Sequence, residues 1–150
     1  MVQNFDNIIR PVPGTFDFIP SYIMGGLARE GIEEARLTIQ QSRLCRHKRS
    51  QQMVKMDIFS GTANEKKAIR QVYDSQNTYK SRIKLVREEG TSPSADETVN
   101  NAYDYVGQVF DYFHEVMGRN SIDNQGMDLV INVHFGEKYQ NAFWDGDEIV

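Results

Sequence analysis

The chain has 150 residues, of which 25% are charged and 39% are hydrophobic. This length and balance predict a globular protein with one ordinary core and an appendage, and they argue against a disordered or fibrous chain. A formal net charge of −4 gives no global reason to expect binding to nucleic acid, and no apolar run is long enough to span a bilayer. We therefore expect neither nucleic acid nor a membrane among its partners.

Residues 1–18 are predicted to form an extended arm. Three of the chain's four prolines lie within residues 1–20, and these residues show little periodicity. No apolar segment typical of a signal peptide is found there. We therefore expect either a cytoplasmic location or export by a non-classical route, and the sequence does not decide between the two.

Residues 21–44 are predicted to be helical, because apolar side chains recur at the intervals of one helix face. Gly31 and two earlier glycines weaken a continuous helix, so two shorter helices around Gly31 fit the pattern as well as one. A basic cluster at residues 43–49 follows. A nucleic-acid patch is one interpretation of this cluster, but a solvated helix end or an exposed linker is simpler, and we favour it.

Two short strands are predicted in the middle of the chain. One covers residues 53–59, and the other covers residues 82–87 with Ile83 and Leu85 on one face. The polar stretch between them, residues 60–80, is interpreted as irregular, with turn or strand-end residues at Tyr73, Asp74 and Asn77.

The best-defined element is a long helix that begins near Asp96. Ser94 and Glu97 have the spacing of a capping box, and Gly118 is suited to the left-handed conformation that ends a helix. The side chains of one apolar stripe are spaced by three or four residues, as an amphipathic helix of about six turns requires. They are Val99, Ala102, Tyr103, Val106, Val109, Phe110, Phe113, Val116 and Met117.

The last part of the chain is predicted to be extended. Residues 129–135 alternate between apolar and other side chains, which is typical of a strand with one buried face. Residues 141–144 and 148–150 flank Asp145-Gly146, which indicates a hairpin with a type I′ turn.

The sequence carries no complete catalytic site. His114-Glu115 begins the His-Glu-x-x-His pattern of zinc hydrolases, but Gly118 stands where the second histidine belongs. We interpret His114 as a helix-surface or packing residue and His134 as a residue on the polar face of its strand. The carboxylates of residues 145–148 lack the ligand ladder of an EF-hand, and turn or rim charges are the favoured interpretation.

Several longer runs are more specific. They are Asn101-Ala102-Tyr103-Asp104, the nine residues from Gly118 to Gly126, and Asn141-Ala142-Phe143-Trp144-Asp145-Gly146. In this order, they resemble runs of the thermolysin-type neutral zinc metallopeptidases, and especially of the protealysin-like branch. Ile19-Pro20-Ser21-Tyr22-Ile23 is similar to the Ile-Pro-Pro-Tyr-Ile motif that opens the short propeptide of that branch, with Ser21 in place of the second proline.

The resemblance implies an α+β fold, in which a short helical propeptide precedes a mostly β N-terminal peptidase domain with one long amphipathic helix. It places the arm at residues 1–18, the propeptide at residues 19–60 and the N-terminal peptidase domain at residues 61–150. In the full-length family, the zinc ion lies in a cleft between this half and a helical C-terminal half. Water activated by the zinc hydrolyses the peptide bonds of a substrate there. We expect the zinc ligands beyond Val150, so no catalytic residue and no zinc ligand is assigned to this chain, which is predicted to be inactive alone.

The resemblance also implies site residues. Asn141, Ala142, Phe143 and Trp144 would bind a peptide or protein substrate along the strand that borders the cleft. Ile19, Pro20, Tyr22 and Ile23 form the propeptide motif. Calcium is compatible with the family but has no support in these residues. The alternative hypothesis is a non-enzymatic protein in which the propeptide region acts as an inhibitor or folding helper.

Overall fold

The structure, a computed structural model, describes residues 17–51 and 68–150, and the side chains of residues 48–51 are not part of that description. The chain divides into two compact units. The first comprises Met1–Val54 with Lys138–Asp145, and the second comprises Lys55–Glu137 with Gly146–Val150. Helices and a small mixed sheet are both present, which confirms the α+β class.

Two helices dominate the described part of the first unit. Helix α1 spans Ser21–Arg29 and helix α2 spans Glu33–Gln51. Gly31 separates them in the left-handed conformation, with φ of 89°. A residue without a Cβ adopts this backbone without strain. Of the two arrangements that the sequence allowed, two helices around Gly31 is the observed one.

The second unit is built on a three-stranded sheet. Strand β1 (Arg70–Asp74) pairs antiparallel with β2 (Lys84–Glu88) and parallel with β3 (Leu129–Val133), so the strand order is β2-β1-β3. A parallel pair needs a crossover connection, and helix α3 (Glu97–Met117) lies within that connection. The buried core lies between α3 and the sheet and consists of Ala68, Val72, Val99, Tyr103, Leu129, Ile131 and Val133.

Helix α3 begins and ends close to the predicted residues. Asp96 is the N-cap, and its carboxylate accepts a hydrogen bond from the Thr98 amide at 2.9 Å. The predicted capping box is wrong, because Ser94 Oγ accepts from the Asp96 amide and does not contact the helix N-terminus as its cap. Gly118 has φ of 62° and ends the helix in the left-handed conformation, as predicted.

The apolar stripe of α3 is buried only in its first half. Val99 and Tyr103 belong to the core, and Val106 and Phe110 pack against it. Val109 and the members of the stripe beyond Phe110 are exposed, because nothing in the described part of the chain packs over them. None of the described helices is both long and apolar enough to cross a membrane.

The strand predictions need three corrections. Strand β1 lies in the stretch interpreted as irregular, although Asp74 ends the strand and Asn77 lies in the turn that follows, as predicted. Strand β2 was found, but it spans Lys84–Glu88, so Ile83 lies just before it. A register shift between Val72 and Tyr73 of β1 separates the exposed Leu85 from the buried Arg87. All five residues of β3 are buried, and not one face only, since the strand is covered on both sides. The predicted strand at residues 53–59 lies outside the described residues.

The predicted hairpin around Asp145-Gly146 is also wrong. Phe143 bridges to Asp17, and Ile149 bridges in parallel to Ile131. The type I′ turn needs φ above zero at both central residues, and only Gly146 has it. The two flanking segments therefore bridge to different partners and not to each other.

Candidate functional site

The predicted substrate segment lies in the first unit, where residues 17–19 run beside it. Asp17 and Phe143 form an antiparallel bridge, and the Phe18 amide donates a hydrogen bond of 2.7 Å to the Ala142 carbonyl. The chain itself thus adds a short extended segment to the edge formed by residues 141–143. Such strand addition is a common mode of peptide recognition.

Asn141 extends this pairing through its side chain. Its Oδ1 accepts a hydrogen bond of 2.8 Å from the Ile19 amide, and its Nδ2 donates one of 3.0 Å to the Ile19 carbonyl. A primary amide both donates and accepts, so one side chain satisfies both polar groups of one residue. Oδ1 also accepts from the Ala142 amide at 2.8 Å, which fixes the orientation of the side chain.

The two aromatic residues of the segment have different surroundings. Phe143 is buried and makes an edge-to-face contact with Tyr139, with ring centroids 6.4 Å apart. Such contacts stabilise aromatic pairs, and this one packs the segment against Tyr139. Trp144 is half-buried.

The propeptide motif divides between the segment and helix α1. Ile19 contacts Asn141, and Pro20 is the N-cap of α1, where its carbonyl accepts from the Ile23 amide at 3.0 Å. Tyr22 and Ile23 are exposed on the first turn, with 71% and 42% of their surface accessible. Only Ile19 and Pro20 of this motif therefore position the arm.

Helix α2 contributes contacts that no motif had indicated. The Thr38 hydroxyl accepts from the Gln140 amide at 2.9 Å, and the Ser42 hydroxyl lies 2.9 Å from the Tyr139 hydroxyl. Arg46 forms a salt bridge with Asp17. The four-residue spacing of these polar side chains was a signal in the sequence, since it puts them on one helix face. Arg46 was assigned there only to the basic cluster.

The histidines do not form a site. His114 is exposed and stacks on Phe110 with centroids 5.7 Å apart, as expected of a packing residue. His134 follows β3 and does not lie on its polar face: φ is 51°, and Nδ1 lies 3.2 Å from Asp74 Oδ1. Across residues 17–51 and 68–150, no group of three His, Cys, Asp or Glu side chains is placed to hold a metal ion.

Charged groups of the second unit serve its structure. Arg70 donates to Glu89 through Nη2 at 2.6 Å and Nε at 2.7 Å, and these bonds lower the pKa of Glu89 to about 2. The hydrogen bond to Glu148 raises the pKa of Arg82, which also pairs with Asp147. Asp147 is exposed, as expected of a rim charge, but Glu148 is buried and pairs with Arg82, so the interpretation of Glu148 as a rim charge is wrong.

Comparison with known proteins gives consistent results. Residues 30–150 match the catalytic domain of the thermolysin metallopeptidases. The chain is 34% identical over 139 residues to an extracellular metalloprotease of Pectobacterium carotovorum subsp. carotovorum, a match that covers 88% of this chain and 38% of that protein. It is 41% identical over 81 residues to protease PrtS of Photorhabdus sp. (strain Az29), which covers 54% of this chain and 22% of that protein.

A solved structure shows the same similarity. The precursor of protealysin, a metalloproteinase from Serratia proteamaculans, superposes with a TM-score of 0.68 at 34% identity. The match covers 90% of this chain and 38% of that one. This chain therefore spans less than half the length of these relatives.

Proposed function

Because the chain belongs to the thermolysin metallopeptidase family, we propose that it forms the propeptide and N-terminal part of a zinc endopeptidase of the protealysin-like branch. The assembled enzyme would hydrolyse peptide bonds with zinc-activated water. In this proposal Asn141 to Trp144 bind the substrate, and the arm and propeptide motif cover them. Residues 1–18, 19–60 and 61–150 remain the proposed arm, propeptide and peptidase domain.

The observation that carries the proposal is the antiparallel pairing of residues 17–19 with residues 141–143. An edge that accepts an extended segment through a carbonyl and a side-chain amide can accept any peptide backbone, because these bonds do not depend on side chains. The arm then occupies the place of a substrate. Ala142 contributes its backbone carbonyl, and Asn141 contributes its side-chain amide. The buried ring of Phe143 packs the edge against the rest of the unit.

The metal must come from elsewhere in the enzyme. A catalytic zinc site uses three protein ligands and an open position, and the described residues offer no such group. They do not fit a zinc ion, so no catalytic step is assigned to this chain. Its proposed contribution is to bind and orient the peptide.

Two measurements test this proposal. The purified chain is expected to bind no stoichiometric zinc and to leave casein intact, and one bound zinc with chelator-sensitive cleavage of casein would contradict it. Sequencing of the transcript past the codon for Val150 is expected to show a frame that continues into a His-Glu-x-x-His helix. A stop codon directly after Val150 would overturn the enzyme proposal.

The docking of α2 on residues 138–140 favours one alternative function. A chain that carries its own propeptide could inhibit a related peptidase as a separate protein. The test adds the purified chain to active protealysin and measures cleavage of casein. Inhibition near equimolar ratio would support an inhibitor, and unchanged cleavage at a large excess would exclude it.

A further inference from the structure

One face of helix α2 carries a polar stripe that contacts residues outside the helix. Its four members are separated by four residues each, which places them above one another on one face. Lys138 and Tyr139 contact its first and third members, with distances of 3.6 Å and 2.9 Å. The stripe consists of Glu34, Thr38, Ser42 and Arg46.

This stripe is buried in its middle. Thr38 is fully buried and Ser42 is 3% exposed. Buried polar groups are costly unless they are paired, and both hydroxyls have a partner in residues 138–140. The stripe therefore fixes how α2 lies on this segment, independently of the arm.

The last member of the stripe acts on the arm. Arg46 forms a salt bridge with Asp17, whose side chain is only 6% exposed, while that of Arg46 is 17% exposed. A buried carboxylate depends strongly on a nearby cation. Asp17 directly precedes Phe18 and Ile19, the two residues whose amides bond to the segment. The position of Asp17 thus sets the register of the whole pairing.

We propose that the Arg46–Asp17 pair is the latch that holds the arm on residues 141–143, and that its loss frees this edge while α2 stays docked through Thr38 and Ser42. The proposal rests on the proposed function only in taking residues 141–143 as a peptide-binding edge. It assigns Arg46 and Asp17 a regulatory role, which neither the motif of residues 19–23 nor the basic cluster had indicated.

The test measures amide hydrogen exchange in the full chain. Arg46→Met is expected to speed exchange at Phe18 and Ile19 by roughly ten-fold or more, since it removes a charged partner of a buried carboxylate. Exchange of the amides within α2 is expected to stay unchanged. Wild-type exchange rates at Phe18 and Ile19 in the variant would overturn the latch.

Two further variants separate a latch from a general loss of structure. Ser42→Ala lies one turn earlier on the same stripe and contacts Tyr139, so it is expected to leave exchange at Phe18 and Ile19 unchanged. The exchanged pair Asp17→Arg with Arg46→Asp is expected to restore slow exchange at both amides. Arg46→Met could also speed exchange of the α2 amides, without recovery of slow exchange in the double variant Asp17→Arg with Arg46→Asp. In that case the salt bridge stabilises the whole unit and is not a latch.

A peptide probe distinguishes the latch from the proposed function. The blocked tetrapeptide acetyl-Ala-Phe-Ile-Ala-amide is expected to shift the amide resonances of residues 141–143 in Arg46→Met and not in the wild-type chain. If the arm is released but the tetrapeptide does not bind, the latch stands and the substrate role of Asn141 to Trp144 fails. If the arm is not released, the latch fails and the proposed function is unaffected.

Discussion

Arg70 is held by Glu89 and Tyr103 in the second unit. Its guanidinium bonds to Glu89 and lies 3.8 Å from the centre of the Tyr103 ring, and Arg87 lies at the same distance from that ring. Gly107 of α3 faces this guanidinium, because a Cβ added there would overlap Arg70 Nη1 and lie 3.1 Å from Cζ. The absence of a side chain at residue 107 is thus what allows Arg70 to reach Glu89.

Gly107→Ala is therefore expected to destabilise the chain, although alanine is the better helix former. The propensity gain is about 1 kcal/mol. It is offset by displacement of Arg70 from its partly exposed pair with Glu89 and from the aromatic face of Tyr103, which contribute about 1 kcal/mol each. A net loss of up to about 1 kcal/mol in urea unfolding is expected. On an Arg70→Ala background the same substitution should stabilise, and a destabilisation there would show that another contact is responsible.

The carboxylate of Glu89 makes the stability of the fold depend on pH. The hydrogen bonds from Arg70 lower the pKa of Glu89 from its usual 4.5 to about 2. The ionised group therefore stabilises the fold above about pH 4.5, and this contribution is lost as the pH falls to about 2. The side chain is 35% exposed, so solvent screening limits the contribution to about 1 kcal/mol.

Glu89→Gln is thus expected to lower the free energy of unfolding by about 1 kcal/mol at pH 7 and by almost nothing near pH 2. Urea titrations at several pH values measure both quantities. Glu137→Gln, at an exposed residue outside the helices and strands, serves as the control for loss of one negative charge. A difference between wild type and Glu89→Gln that is independent of pH would contradict the prediction.

The stability of helix α3 depends on its N-cap residue. Asp96 accepts from the Thr98 amide, and its other oxygen lies 3.6 Å from His134 Nε2. Asp96→Ala is expected to cost about 1 kcal/mol, because it leaves a helix N–H without its partner. Asp96→Asn keeps an acceptor and should cost much less. Equal losses for both variants in thermal unfolding would show that the charge beside His134, and not the cap, is what matters.

The elements differ in how far their sequences predict them. Helix α3 is long and its first half is periodic, so local pattern and packing agree. Strand β1 escapes prediction because Val72 is its only buried residue and its neighbours are polar. Strand β3 has alternating side chains but is covered on both faces, and the predicted turn at Asp145-Gly146 is overridden when Phe143 pairs with Asp17. Tertiary partners decide such short segments.

The candidate site could also be predicted from the sequence only in part. Its segment was identified from the run around Asn141, which resembles one family closely. Its occupant was not identified, because Ile19 and Asn141 are 122 residues apart and no local pattern links them. The polar spacing of Thr38, Ser42 and Arg46 was visible in the sequence, but its meaning depends on the partners that the fold brings to it.

Exposed apolar surface on α3 has consequences for the whole molecule. Four large side chains recur at intervals of four, three and four residues on one exposed face of the helix, each more than half accessible. They are Tyr105, Val109, Tyr112 and Val116. Contiguous apolar patches are uncommon on monomeric proteins and mark contact surfaces. Within residues 17–51 and 68–150, nothing covers this face.

We expect the isolated chain to associate with a second copy through this face as its concentration rises. Val109→Lys places a charge within the patch and is expected to shift the sedimentation profile towards the monomer and to reduce binding of a hydrophobic dye. Gln125→Lys adds the same charge at an exposed residue of the bend that follows α3, outside the patch, and should change neither property. Equal effects of the two variants would mean that net charge, and not the apolar face of α3, controls association. A wild-type chain that stays monomeric at high concentration would contradict the prediction outright.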